Sequence, residues 1–185
     1  METKIEINVK DYEMQDADGI GIYVGTYKKY NEGSLFGMWI DLEKFSDAEE
    51  FFEVCRALHA DEDDPEFMFQ DYQGFPESMY YESMCEDEIQ DILDYVALDE
   101  DDKELLEEYQ DAYDSTADIS DLDKIKDYYC GQWDSLEDYA EELMNELYNI
   151  PDYLSNYIDY SAFARDLEMD GTYISSNGFV FDINR

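Results

Sequence analysis

One histidine, three cysteines and 51 carboxylates are the residues of this 185-residue chain whose types could do chemistry. A Ser-His-Asp or Cys-His arrangement would have to recruit His59, because an imidazole is the usual proton acceptor near neutral pH. His59 closes a helix-like stretch and is followed by Ala60-Asp61-Glu62. A cation is favoured at the end of a helix, so the expectation is an exposed helix-terminal histidine rather than a base. Cys55, Cys85 and Cys130 are odd in number, widely spaced and without a C-x-x-C pair. They indicate neither a disulfide framework nor a zinc knuckle and read as small buried or half-buried side chains. Glycoside hydrolysis needs two carboxylates at a fixed separation, but 51 candidates guarantee that some pair meets it. No catalytic residue is assigned.

Carboxylates also bind calcium. Asp166-x-Glu168-x-Asp170-Gly171, followed by five residues and Asn177, resembles an EF-hand loop with its glycine in place. The twelfth position holds Asn177 instead of a bidentate glutamate, and Gly178-Phe179-Val180-Phe181 reads as a strand where an exiting helix is required. Gly171 is better read as the stop of a helix. Gly19-x-Gly21 with Gly25 lacks the third glycine of a dinucleotide loop and leads into a strand, so it reads as turn punctuation. No metal and no cofactor is expected.

The elements that must position these groups are mixed. Ile20 to Thr26 and Phe36 to Leu42 are β-branched or aromatic runs separated by a turn-rich loop, Lys28-Lys29-Tyr30-Asn31-Glu32-Gly33-Ser34, and suggest neighbouring strands. Ser46-x-x-Glu49 fits a capping box for a helix whose face carries Phe51, Phe52, Cys55 and Leu58. Phe67 to Tyr72 reads as a third, half-buried strand with Phe67, Phe69 and Asp71 on one side. From Glu86 the period becomes helical, with apolar stripes Ile89, Ile92, Leu93, Val96 and Leu105, Leu106, Tyr109 among acids. Ile125 to Cys130 reads as a strand, Ser135 to Tyr148 as a helix, and Leu154 to Met169 as a further helix after Pro151. Tyr173–Ser175 and Phe179–Ile183 flank Asn177-Gly178, a strong hairpin signal. The fold class is therefore α+β. The expected organisation is three small modules: 1–80, mixed, with 1–19 as an extension; 81–118, acidic and helical; and 119–185, mixed and ending in the hairpin.

Charge is the dominant feature. Against the 51 acids stand 11 Lys and Arg, a net of −40, yet 44% of residues are hydrophobic and 16% aromatic, which argues for a folded chain rather than a disordered one. Such a surface repels DNA, RNA and anionic lipid, so neither nucleic acid nor membrane is expected as a partner. No apolar run approaches the roughly 20 residues that span a bilayer, and Met1-Glu2-Thr3-Lys4 leads to no signal-peptide core, so a cytoplasmic location is expected. The charge is uneven: residues 1–60 carry −7, 61–118 carry −22 with one lysine, and 119–185 carry −11. Like charges three and four apart on a helix cost roughly 0.2–0.5 kcal/mol per pair, which helix stability alone would not select. One reading is a solvated acidic surface. The other is mimicry of duplex DNA, in which about 40 charges match roughly 68 Å, on the order of 20 base pairs. A compact sphere of this length has a radius of gyration of only about 16 Å, so mimicry at DNA spacing predicts an elongated molecule. The tyrosines, Tyr157, Tyr160 and Tyr173 among them, suit a core boundary that meets water at one end, and the run Tyr153 to Phe163 is the first candidate for a subunit interface.

Tyr27-Lys28-Lys29-Tyr30-Asn31-Glu32-Gly33, Gly37-Met38-Trp39-Ile40, Tyr157-Ile158-Asp159-Tyr160-Ser161-Ala162-Phe163-Ala164-Arg165-Asp166-Leu167 and Gly171-Thr172-Tyr173-Ile174-Ser175 together resemble the ArdA-type antirestriction proteins. The similarity runs from about Ile22 to Ile183, and nothing carries over to residues 1–19. The resemblance implies a non-enzymatic DNA mimic, encoded on mobile elements, that occupies the DNA-binding groove of type I restriction-modification enzymes as an elongated homodimer of three-module subunits. Tyr157, Asp159, Tyr160, Phe163, Arg165 and Asp166 match the antirestriction motif, whose family role fits a region near the dimer axis. The acids nominated as phosphate surrogates, by density, are Glu86, Asp87, Asp91, Asp94, Asp99, Asp101, Asp102, Glu104, Glu107, Glu108, Asp111 and Asp114. The rival is an acidic calcium-binding or carboxylate-dependent hydrolytic domain, in which one or two substitutions would abolish activity.

Overall fold

Two separate three-stranded antiparallel sheets, each covered by helices, organise the chain in a computed structural model that describes residues 7–148, 150–171 and 173–184. The chain divides into two compact units, Met1–Leu98 and Asp99–Arg185. The class is α+β, as the sequence indicates. Of the expected extension at 1–19, residues 1–6 lie outside the described residues.

In the first unit β1 (Gly21–Thr26) pairs with β2 (Met38–Asp41) and β3 (Phe67–Gln73), in the order β2-β1-β3. The β3 register slips opposite Tyr23 and Val24, where Asp71 and Phe69 are the successive partners and Gln70 is the extra residue. The expected alternation of Phe67, Phe69 and Asp71 is broken there, because the extra residue reverses the phase of the pleat between buried Phe69 and exposed Asp71. Between β1 and β2 the expected loop contains a short helix, α1 (Tyr27–Asn31). The hydroxyl of Thr26 accepts from Lys29 N, a cap that the polar composition of the segment concealed. The free edge of β2 is covered by the segment before β1, through Met14 N donating to the Trp39 carbonyl and a bridge from Glu13 to Ile40.

The helix α2 (Ala48–Leu58) starts one residue later than the capping box suggests, because the Asp47 carboxylate, not Ser46, accepts from Glu50 N. It buries Phe51, Val54 and Cys55 against a core that includes Ile22, Val24, Ile40 and Phe69. The helix α3 (Glu86–Val96) packs on α2, burying Ile89, Ile92 and Leu93, with Tyr95 in place of the expected Val96. Its Gln90 Oε1 accepts from Ala48 N at 2.9 Å, satisfying a donor that the first turn of α2 leaves unpaired.

The second unit opens with α4 (Glu100–Ala112), which buries Leu105, Leu106 and Tyr109 as expected. The run read as a strand from Ile125 is mostly helix, α5 (Leu122–Tyr128). Leu122 and Ile125 are both buried, one turn apart, and only Tyr129–Gln132 form the strand β4. The helix α6 (Leu136–Leu147), capped by Ser135, matches its expected span. The segment from Leu154 to Met169 is two helices, α7 (Asp152–Ser155) and α8 (Tyr160–Met169), because the Asp159 carboxylate accepts from Ala162 N at 2.9 Å and starts a new helix. The hairpin β5 (Tyr173–Ser176) and β6 (Phe179–Asp182) completes the sheet β4-β6-β5. All of Phe179, Val180 and Phe181 are buried, as a central strand covered on both faces requires.

Asn177 and Gly178 turn the hairpin with φ of 44° and 90°, both in the left-handed region that a two-residue turn of this hand needs. A Cβ on Gly178 would also collide with the Trp133 carbonyl, whose own amide donates to Gly178 O at 2.8 Å. Gly33 has φ of 83° but open space around it. Gly178→Ala should therefore lower unfolding stability in urea by about 1–3 kcal/mol, and Gly33→Ala by no more than about 1 kcal/mol.

Candidate functional site

The twelve nominated acids are divided between the units. Glu86, Asp87, Asp91 and Asp94 lie on α3 in the first; Asp99, Asp101, Asp102, Glu104, Glu107, Glu108, Asp111 and Asp114 lie on or beside α4 in the second. Ten are exposed and two, Asp102 and Glu108, are half-buried. This follows from the apolar stripes: once Ile89, Ile92 and Leu93, or Leu105, Leu106 and Tyr109, turn inward, the remaining positions of each helix can only face water.

Several of these carboxylates hold local structure as well. Asp99 caps α4 by accepting from Asp102 N at 2.8 Å, and Asp94 accepts from Gln90 at 2.8 Å. Asp102 pairs with Lys126 at 2.7 Å, and this hydrogen bond raises the Lys126 pKa. Glu108 accepts both contacts of the Asn177 amide, at 2.9 and 3.1 Å, tying α4 to the hairpin. Asp114 accepts from the Thr116 hydroxyl and amide, which hold its carboxyl below the usual range.

Helix electrostatics separate the acids that stability explains from those it does not. Acids in a first turn complement the positive end of the helix dipole by about 0.3–1 kcal/mol each. Glu86, Asp87 and Glu88 on α3, and Glu100, Asp101 and Asp102 on α4, are of this kind. The last turns are the reverse. The helices α3, α4, α6 and α8 carry no base there, and their final residues include Asp94, Asp111, Glu146, Asp166 and Glu168. Each of these faces the negative end of its own helix. The sequence nominations omit the α6 acids Glu137, Asp138, Glu141, Glu142 and Glu146, all exposed, although their i, i+4 spacing is as visible as that of α4.

The motif residues gather at α7 and α8. Tyr157 is 85% exposed, Asp159 caps α8, Phe163 is half-buried, and Arg165 and Asp166 are exposed. The Tyr160 hydroxyl is buried with no hydrogen-bond partner among the described residues. The helix α8 packs on α6, and each buries an alanine, Ala164 and Ala140, small enough to allow close approach. Around this pair Leu147, Tyr148, Tyr153, Leu154, Tyr157 and Met169 are all exposed, with Tyr153 at 73% and Met169 at 78%.

The calcium-loop reading fails on geometry: Asp166 and Glu168 lie inside α8, and Gly171, with φ of 67°, ends that helix. The expectation for His59 is also corrected. It is fully buried at the C-terminus of α2, where its Nδ1 lies 3.1 Å from Lys29 Nζ and its Nε2 lies 3.3 Å from the Val24 carbonyl. Burial, and then the Lys29 charge, push its pKa down, so it is neutral. Asp61 Oδ1 and Glu62 Oε1 lie 2.9 and 2.6 Å from the same ammonium, within a group spaced closely enough for a metal ion, but Lys29 fills its centre. Sequence periodicity could not find this cluster, because Lys29 and His59 are joined only by the tertiary fold. No helix among the described residues is long and apolar enough to cross a membrane.

Comparison with known families gives a match to the antirestriction protein (ArdA) model over residues 22–181. No curated protein gives a significant match.

Proposed function

The chain belongs to the ArdA family of antirestriction proteins, and from that membership we propose that it is a DNA mimic that occupies the DNA-binding groove of a type I restriction-modification enzyme. The observation that carries this reading is the set of acids at the C-terminal turns of α3, α4, α6 and α8, turns that hold no base. They oppose the helix dipole and one another, so stability does not account for them. A partner lined with Lys and Arg does.

A groove that grips DNA does so by neutralising phosphates, and much of the affinity comes from releasing counterions. Carboxylates on α3, α4 and α6 serve as phosphate surrogates, and the cations gathered around them are released when the groove's Lys and Arg neutralise them. The protein and DNA then exclude each other from one surface, and no covalent bond is made or broken. The load is distributed over Glu86, Asp87, Asp91 and Asp94 in the first unit and Asp99, Asp101, Asp102, Glu104, Glu107, Glu108, Asp111 and Asp114 in the second.

The exposed aromatic and aliphatic side chains from Leu147 to Met169 support a second copy of the chain as the partner of α7 and α8, since a patch of this kind on a highly charged protein is expected to be covered. Tyr157, Asp159, Tyr160, Phe163, Arg165 and Asp166 belong to this region. Tyr157→Glu should then shift the light-scattering mass from dimer to monomer.

Titration into a purified type I methyltransferase core bound to labelled DNA should displace the DNA stoichiometrically at low salt, and retention of the DNA would overturn the reading. Exposed ion pairs contribute about 0.2–1 kcal/mol each, so Asp101→Asn should weaken displacement by no more than about fivefold, whereas neutralising all twelve acids should abolish it.

A further inference from the structure

The cluster around buried His59 in the first unit, with Asp61 at its solvent side, joins α1, β1 and the segment after α2, and the proposed DNA mimicry makes no use of it. An ammonium has three N–H donors and no lone pair. Lys29 spends all three, on His59 Nδ1, Asp61 Oδ1 and Glu62 Oε1 at 3.1, 2.9 and 2.6 Å. His59 can accept at Nδ1 only as the neutral imidazole with its proton on Nε2, which then donates to the Val24 carbonyl. Two neighbours thus fix both the charge and the tautomer of the ring.

The surroundings leave the imidazole little freedom. From α1 it faces Lys29; from the following segment, Asp61 and Glu62; from β1, the Val24 carbonyl, with the Thr26 hydroxyl donating to Glu62 at 2.8 Å. Lys28 also acts on Glu62 electrostatically. The Phe36 ring meets His59 edge-on at 5.7 Å and lies 5.4 Å beneath the ammonium, and Phe67 lies 6.3 Å from the imidazole. The Glu62 side chain is only 6% exposed and that of Lys29 13%, so neither charge can turn to water without moving backbone or partner.

We propose that His59 and Lys29 form an acid-operated latch, in which protonation of His59 at Nδ1 evicts the Lys29 ammonium and frees α1 from the segment after α2. The proton comes from solvent and converts Nδ1 from acceptor to donor, and no other bond changes. Ammonium and imidazolium cannot both stand 3.1 Å apart and donate toward the same carboxylates. The imidazolium, anchored by the backbone of α2, takes over Glu62, and the flexible lysine leaves.

The pH dependence is consistent in sign. A histidine whose folded pKa lies below its ordinary 6.5 takes up its proton more readily when unfolded, so stability falls as the pH drops through that window. The Asp61 and Glu62 carboxyls, held below their ordinary range by Lys29, withdraw further stability as the pH falls lower still.

The chain has a single histidine, so its imidazole nitrogens give one unambiguous set of NMR signals. Expected are the Nε2–H tautomer at neutral pH, a titration midpoint below 6.5, and backbone amides of residues 26–31 shifting with that same midpoint. Lys29→Met should raise the midpoint, and in His59→Gln, whose amide can both accept and donate, the α1 amides should no longer titrate in that window. An Nδ1–H tautomer, a midpoint at or above 6.5, α1 amides unmoved through the histidine titration, or a Lys29→Met midpoint equal to the parent's would each overturn the latch.

Discussion

Like-charge repulsion is the constraint to which the rest of the structure answers. With 51 acids and 11 Lys and Arg, most carboxylates can have no cationic partner, and the fold must be held by what it buries. It does this twice. In the first unit Phe45, Phe51, Phe52 and Phe69 form a chain of ring contacts beneath the sheet. In the second, Tyr109 meets Phe181 edge-on at 5.3 Å while Trp133, Tyr139 and Tyr173 join α6 to the sheet. Large aromatic rings suit this task, since each removes a large apolar area from water per residue ordered. The few lysines are then spent where a carboxylate cannot escape: Lys29 on Glu62 indoors, and Lys126 on Asp102 between α5 and α4.

How far the sequence reveals this depends on how local each cause is. The Asn177-Gly178 hairpin, the apolar stripes of α3 and α4 and the Ser135-capped α6 are all written in neighbouring residues, and their spans agree with the structure. The misreadings share a pattern. A side chain one or two positions away redirects the backbone at α1, at α2 and between α7 and α8, where Thr26, Asp47 and Asp159 are the caps. At α5 the β-branched and aromatic composition around Ile125 suggests a strand, but the burial of Leu122 and Ile125 makes the segment helical. The β3 bulge and the burial of His59 arise from pairing between distant segments, so no window of sequence contains them.

The candidate site is legible in kind more than in arrangement. Ten of the twelve acids nominated by density along α3 and α4 are exposed, yet density overlooks α6, and it cannot tell that half-buried Asp102 and Glu108 are engaged with Lys126 and Asn177. What the structure adds is position within each helix. First-turn acids stabilise the helix they begin, while last-turn acids such as Asp111 and Glu146 destabilise the one they end. That distinction turns a total charge into a pattern needing a cationic partner, which is where membership of an antirestriction family and the physics of the surface meet.

Affinity for a purified type I methyltransferase core, measured from about 0.05 to 0.5 M salt, tests this account most directly, because mimicry of phosphate makes counterion release the source of binding. Phosphate mimicry requires a dissociation constant that rises steeply and linearly in a log–log plot, by a power of several. An affinity that stays constant across the series would contradict it.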